Sequence, residues 1–134
     1  MKQETLFRVL DVNLNRAREG QRVCEEVARM VLEDPGLTRR CQRLRYDLDR
    51  AARDLPGQKL LQARDSRTDV GRPDRRGPIR SHKKMGDLAQ ANAKRVQEAL
   101  RVLEEFTRLH YPPTSRRFGS LRFRVYSLEQ TLLS

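Results

Sequence analysis

Apolar positions recur at close to 3.6-residue spacing in four stretches of this chain, and no segment shows the apolar–polar alternation of a strand. The first stretch runs from about Glu4 to Glu33, with Leu6, Leu10, Leu14, Ala17, Gly20, Cys24, Val27, Ala28, Val31 and Leu32 on one stripe, and Asp34-Pro35-Gly36 stops it. The second takes Thr38 as its N-cap and carries Cys41, Leu44, Leu48, Ala51 and Leu55 up to the break at Pro56-Gly57, after which Leu60 and Leu61 add a turn. The third covers about Lys84 to His110, with Leu88, Val96, Ala99, Leu100, Leu103 and Phe106 in register. The fourth begins after Ser115 and uses Phe118, Leu121, Val125, Leu128 and Leu132. The pattern predicts an all-α domain.

The first and third stretches also match each other. At a shift of 79 residues, Asn13, Arg16, Glu19, Arg22, Val23, Glu25, Glu26 and Arg29 recur as Asn92, Arg95, Glu98, Arg101, Val102, Glu104, Glu105 and Arg108, 8 identities in 17 positions. Thr38-Arg39-Arg40-Cys41 and Leu44-Arg45 likewise correspond to Ser115-Arg116-Arg117-Phe118 and Leu121-Arg122. This predicts a four-helix bundle made from a duplicated helical hairpin with pseudo-two-fold symmetry. It is a single domain over 1–134, with repeat one at about 4–62, a connecting loop at about 64–87 and repeat two at about 84–134. With the axis along the bundle, helices one and three run parallel and their equivalent residues share one end.

Within that frame Asn13 falls in the middle of the apolar stripe and Arg16 at its edge, and Asn92 and Arg95 repeat the arrangement. A buried amide costs about 1–3 kcal/mol unless it is satisfied. Two of them at equivalent positions therefore imply either a register-fixing pair or a polar cavity flanked by Arg16 and Arg95. Gly20, matched by Ala99, reads as a close helix crossing. Paired runs such as Glu25-Glu26 and Glu104-Glu105 read as a solvated face salt-bridged to neighbouring arginines. The connecting loop opens with Ala63-Arg64-Asp65-Ser66-Arg67-Thr68-Asp69-Val70-Gly71, two carboxylates four apart with hydroxyls and a glycine. These residues suit a magnesium and phosphate site, and equally an ordinary capped turn.

Composition narrows the partners. Lys and Arg number 29 against 18 Asp and Glu, a net charge of +11. Of the 29 cations, 24 are arginine, whose planar fork suits phosphate. No apolar run approaches the roughly 20 residues that cross a bilayer, and the N-terminus lacks signal-peptide regions, so the expected location is cytoplasmic. Cys24 and Cys41 read as reduced core thiols, and His82 and His110 as incidental. No phosphate loop, dinucleotide fingerprint, HExxH or nucleophile elbow is present.

The segments Leu10 to Arg29, Ala63 to Gly71 and Ala91 to Phe106, taken together and in order, resemble the monofunctional hydroxymethylpyrimidine phosphate kinase family of thiamin biosynthesis, a helical domain found alone or fused ahead of thiamin phosphate synthase. The stretch after Gly71, Arg-Pro-Asp-Arg-Arg-Gly-Pro-Ile-Arg-Ser-His-Lys-Lys, departs from that family in being richer in arginine. The resemblance implies an ATP-dependent phosphotransferase that converts 4-amino-5-hydroxymethyl-2-methylpyrimidine phosphate to its diphosphate, with Mg2+ as cofactor and ATP as co-substrate. On that reading Asp65 and Asp69 are magnesium ligands, or one of them orients the acceptor phosphate, and Arg16 and Arg95 are phosphate clamps. Asn13, Asn92, Thr68, Gly71 and Lys94 are substrate- or phosphate-binding candidates. Thiamin phosphate synthase is a candidate partner, and a homodimer a further one. Two competing readings are a non-catalytic module that docks on that synthase and a nucleic-acid-binding domain built on Arg39, Arg40, Arg43, Arg45, Arg50 and Arg53. The second is disfavoured by the absence of Trp and by aromatics at only 5%.

Overall fold

A computed structural model describes residues 1–72 and 81–134. The chain runs through α1 (Gln3–Glu26), a π-helical turn (Val27–Val31), α2 (Pro35–Ala52), α3 (Gly57–Ala63), α4 (Met85–Thr107) and α5 (Pro112–Leu132), with no strand among the described residues. All-α is the observed class. The Arg-rich stretch at 73–80, including Ile79, lies outside the described residues.

Element ends differ from the expected ones for local reasons. The first helix does not stay regular to Glu33: it widens after Glu26, where Leu32 N–H donates to Val27 O over 2.9 Å, and Glu33 takes a positive φ of 49°. That change of phase turns Val31 and Leu32 out to solvent instead of onto the stripe. Asp34, not Thr38, caps α2: its Oδ1 accepts from Leu37 N–H at 3.0 Å, with Pro35 at the first helical position, where no N–H is needed. By the same logic Pro112 opens α5 ahead of Ser115, whose hydroxyl instead donates to Glu104 O at 2.7 Å.

α1 packs on α2, α3 and α4, and α5 packs on α2 and α4. Cross-links give their directions. Arg18 meets Asp49 and Glu25 meets Arg45 between α1 and α2, while Gln97 meets Glu129 and Glu104 meets Arg122 between α4 and α5. Arg40–Thr131 and Asp47–Arg124 join α2 to α5, and Asp54, just past the end of α2, meets Arg117 of α5. In every case a later residue of one helix meets an earlier one of its neighbour, so these pairs are antiparallel. The same holds for α1 and α4: Leu6 and Phe7 share a cavity with His110 and Tyr111, whereas Gly20 lies against Asn92 and Val96. The expected parallel alignment of these two helices is therefore corrected. Their equivalent residues do not share one end; they approach each other only near the crossing, where Arg16 and Arg95 sit.

The core beneath is formed by Leu10, Leu14, Ala17, Leu48, Val96, Leu100, Leu103 and Phe118, among others, each large aliphatic or aromatic side chain contributing about 1.5–3 kcal/mol by leaving water. Cys24 and Cys41 are free and buried in it, and burial pushes their thiols up to about 12 and about 11. Glu25 departs from the solvated face expected of it: it is 2% exposed, with Oε1 accepting from Arg45 Nε at 2.9 Å. Its counterpart Glu104 takes both Nε and Nη2 of Arg122, at 3.1 and 2.9 Å.

A methyl group at Gly20 would stand 2.9 Å from Val96 Cγ2 and 3.1 Å from the Asn92 carbonyl oxygen. Helix propensity alone would make Gly20→Ala stabilising by about 1 kcal/mol. The clash with backbone outweighs it, and we expect a net loss of about 1–2 kcal/mol in urea denaturation. An unchanged or more stable G20A would contradict the close crossing.

Candidate functional site

The crossing of α1 and α4 opens outward into a cleft of about 390 Å³. α1 lines it with Arg8, Asp11, Val12, Asn15, Arg16 and Glu19, α4 with Arg95, and the segment leaving α3 with Arg64, Asp65, Ser66, Asp69, Gly71 and Arg72. Residues 8, 12, 15, 16 and 19 form one helical face, so a single strip of α1 supplies most of one wall.

Arg16, Arg95, Asp65, Asp69 and Gly71 thus come together from three separate parts of the sequence. Arg8 and Arg95 have no carboxylate partner among the described residues, and Arg16 donates only to Asn13 Oδ1, at 3.2 Å. Three guanidinium groups therefore face the cleft with donors to offer, an arrangement suited to a phosphate or another multivalent anion.

Four other predicted residues lie behind or beside the wall. Asn13 is buried, its Nδ2 donating to Val9 O at 2.8 Å while its Oδ1 receives Arg16; the amide is satisfied within its own helix and orients the arginine. Asn92 repeats the first bond, Nδ2 donating to Leu88 O at 2.9 Å. Lys94 pairs with Glu129 at 3.2 Å on the α5 side. Thr68 donates its N–H to Asp65 Oδ1 at 3.1 Å and its hydroxyl to Asp65 Oδ2.

The acidic segment is built as two capped turns. Besides the Asp65–Thr68 turn, Gly71 N–H donates to Asp69 Oδ1 at 2.7 Å and Arg72 N–H to Asp69 O at 3.2 Å. Each ionised carboxylate retains further lone pairs for an incoming cation. No cluster of three or more His, Cys, Asp or Glu side chains that could hold a metal ion occurs among the described residues. A divalent ion here would need oxygens from a bound phosphate as well, the usual way magnesium is held.

Sequence reasoning missed Arg8, Asp11, Asn15, Glu19 and Arg64. Arg8, Asn15 and Glu19 share the helical face of Arg16, a signal open to periodicity. Asp11 was visible as an acid beside the buried Leu10, but its partner Arg64 lies 53 positions away and only the fold brings them together. The arginines of α2 divide: Arg45 turns inward to Glu25, while Arg39, Arg43 and Arg50 border a separate shallow groove with Tyr46.

The Thr68 hydroxyl and N–H hold the Asp65 carboxyl below its usual range, with Arg8 adding to the effect. A lowered pKa means the turn's contribution is present above the ordinary carboxylate value and lost as pH falls through the lowered one. Thr68→Val removes the hydroxyl donor and should move the Asp65 midpoint upward, toward the ordinary carboxylate range. Carboxyl carbon shifts in an NMR titration read this directly, and an unmoved midpoint would exclude the hydroxyl as the main cause.

The ThiD2 family matches residues 8–131 of the chain. Curated relatives include proteins named thiamine-phosphate synthase from Nostoc punctiforme (40% identical over 98% of this chain and 36% of the relative), Synechocystis sp. (44% over 96% and 36%) and Rhodopirellula baltica (36% over 92% and 33%). The chain spans about a third of the length of these relatives. No solved structure matches it. The phosphotransferase class implied by sequence resemblance is corrected by these names: these relatives are called thiamine-phosphate synthases, a different enzyme. With the match extending over almost its whole length, the chain belongs to the ThiD2 family.

Proposed function

We propose that this chain is a helical domain of thiamin biosynthesis whose α1–α4 cleft binds the phosphate of 4-amino-5-hydroxymethyl-2-methylpyrimidine phosphate, and that it works beside a thiamine-phosphate synthase. The observation that carries the reading is the convergence of Arg16 and Arg95, matched positions of two similar segments, on one cleft whose third wall is the Asp65–Gly71 segment. The synthase enters because a region similar to this chain makes up about a third of proteins bearing that name.

In this reading Arg16 and Arg95 grip the phosphate from two helices, Arg8 adds charge at the α1 end, and Asn13 holds Arg16 in its working rotamer. Mg2+ and ATP are proposed as accompanying ligands, with Asp65 and Asp69 holding the ion together with phosphate oxygens. The ion would supply charge neutralisation between phosphates. Gly71 lets the loop backbone come close to the ligand.

The same proposal takes the fold as a four-helix bundle made from a duplicated hairpin, with its pseudo-dyad across the helices instead of along them. The recurrence of the Glu25–Arg45 pair as Glu104–Arg122 supports it, as does the Asp47–Arg124 contact at 2.8 Å between matched positions of α2 and α5.

Calorimetric titration with the pyrimidine phosphate and with the unphosphorylated pyrimidine tests the site. The phosphorylated compound should bind and the alcohol should not. Removing one charge-assisted contact costs about 1.5–3 kcal/mol, so Arg16→Ala and Arg95→Ala should each weaken binding about tenfold to a hundredfold. Equal affinity for both compounds, or wild-type affinity in both variants, would overturn the reading.

A further inference from the structure

Asp11 is an anomaly in a cleft proposed to hold an anion. It sits on α1, almost fully buried, and its charge opposes phosphate. Both of its oxygens are occupied: Arg64 Nε donates to Oδ2 at 2.7 Å and Arg64 Nη2 to Oδ1 at 2.9 Å, a two-pronged pair. Arg64 is the residue at which the chain leaves α3 and turns extended, with φ −61° and ψ 133°, and from it hangs the segment that carries Asp65, Asp69 and Gly71.

That segment has little apolar anchorage of its own. Ser66, Arg67 and Thr68 are exposed, and Val70 is 83% exposed. The bonds Thr68 to Asp65, Gly71 to Asp69 and Arg72 Nη1 to Arg67 O shape the segment internally. The Arg64–Asp11 pair ties it to α1 by two charge-assisted hydrogen bonds, five residues before Arg16 on the same helix.

We propose that Asp11 and Arg64 are positioning residues that strap the acidic wall of the cleft onto α1. The fork fixes both the place and the direction in which the chain departs, which a lysine, with its compact ammonium and flexible stem, would not do. The pairing also offsets the charge of Asp11 and withdraws Arg64 from ligand binding, while Arg8, Arg16 and Arg95 line the cleft with no ion pair of this kind among the described residues. The effect on the ligand rests on the function proposed above; the strapping of the wall does not.

The test uses the full chain with Arg64→Lys and, separately, Asp11→Asn, each checked for native helix content. Two readouts are taken: the rate of native-state tryptic cleavage after Arg67, and affinity for the pyrimidine phosphate. We expect cleavage at that site to accelerate and affinity to fall, each by about tenfold, in both variants. Cleavage at the wild-type rate would overturn the strap, and faster cleavage with unchanged affinity would overturn the role of Asp11 and Arg64 in positioning the wall for the ligand. Arg64→Lys replaces a half-exposed side chain and leaves a cation beside Asp11, so it keeps the test decisive if Asp11→Asn does not fold. A wild-type chain that binds no phosphorylated pyrimidine, alongside faster cleavage in the variants, would uphold the strap as a structural device and overturn the proposed ligand.

Discussion

The close crossing of α1 over α4 at Gly20 is the constraint on which the rest of the arrangement depends. Because the Gly20 position leaves no room for a side chain against Val96 and the Asn92 carbonyl, the two helices approach closely there. Arg16 and Arg95 lie close to that crossing, on its outward side. Antiparallel helices carry most equivalent residues to opposite ends of a bundle, and only those near the crossing stay together. The position of the repeat relative to the crossing is therefore what allows two arginines of similar sequence context to line one cleft.

A chain of +11 must then keep some guanidinium groups unpaired, and the placement of its carboxylates decides which. Glu25, Glu104, Asp47 and Asp54 each take an arginine along the hairpins and between α2 and α5, where the pairs fix direction and register. Asp11 takes Arg64 at the cleft wall. Asp65 and Asp69 cap turns of their own segment, and Arg8, Arg16 and Arg95 form no ion pair among the described residues. The acidic residues thus act mainly as scaffolding, and the cleft keeps a net positive lining because five arginines, Arg8, Arg16, Arg64, Arg72 and Arg95, face four carboxylates, Asp11, Glu19, Asp65 and Asp69.

Much of this was legible in the sequence. Helical periodicity located α1, α2, α4 and α5 and read α3 only as an added turn, the repeat singled out Arg16 and Arg95, and the length of the connecting segment marked Asp65 to Gly71 as worth placing. What was not legible is long-range geometry. Similarity between two helices does not tell whether they run parallel or antiparallel, since a two-fold axis can lie along a bundle or across it. The burial of Glu25 was hidden because its partner Arg45 is on another helix, and Asp11 was hidden for the same reason. Where a local rule was available but misjudged, as at Thr38 and Ser115, a proline nearby had already fixed an earlier start.

The central claim is that Arg16 and Arg95 act together on one bound phosphate. The direct measurement is a titration of arginine-labelled protein with the pyrimidine phosphate, following the guanidinium Nε–H resonances by NMR. The account predicts that the Arg16 and Arg95 signals move together and saturate with one dissociation constant, while those of Arg39, Arg43 and Arg50 on α2 stay in place. Movement of the α2 signals with Arg16 and Arg95 unshifted would contradict it.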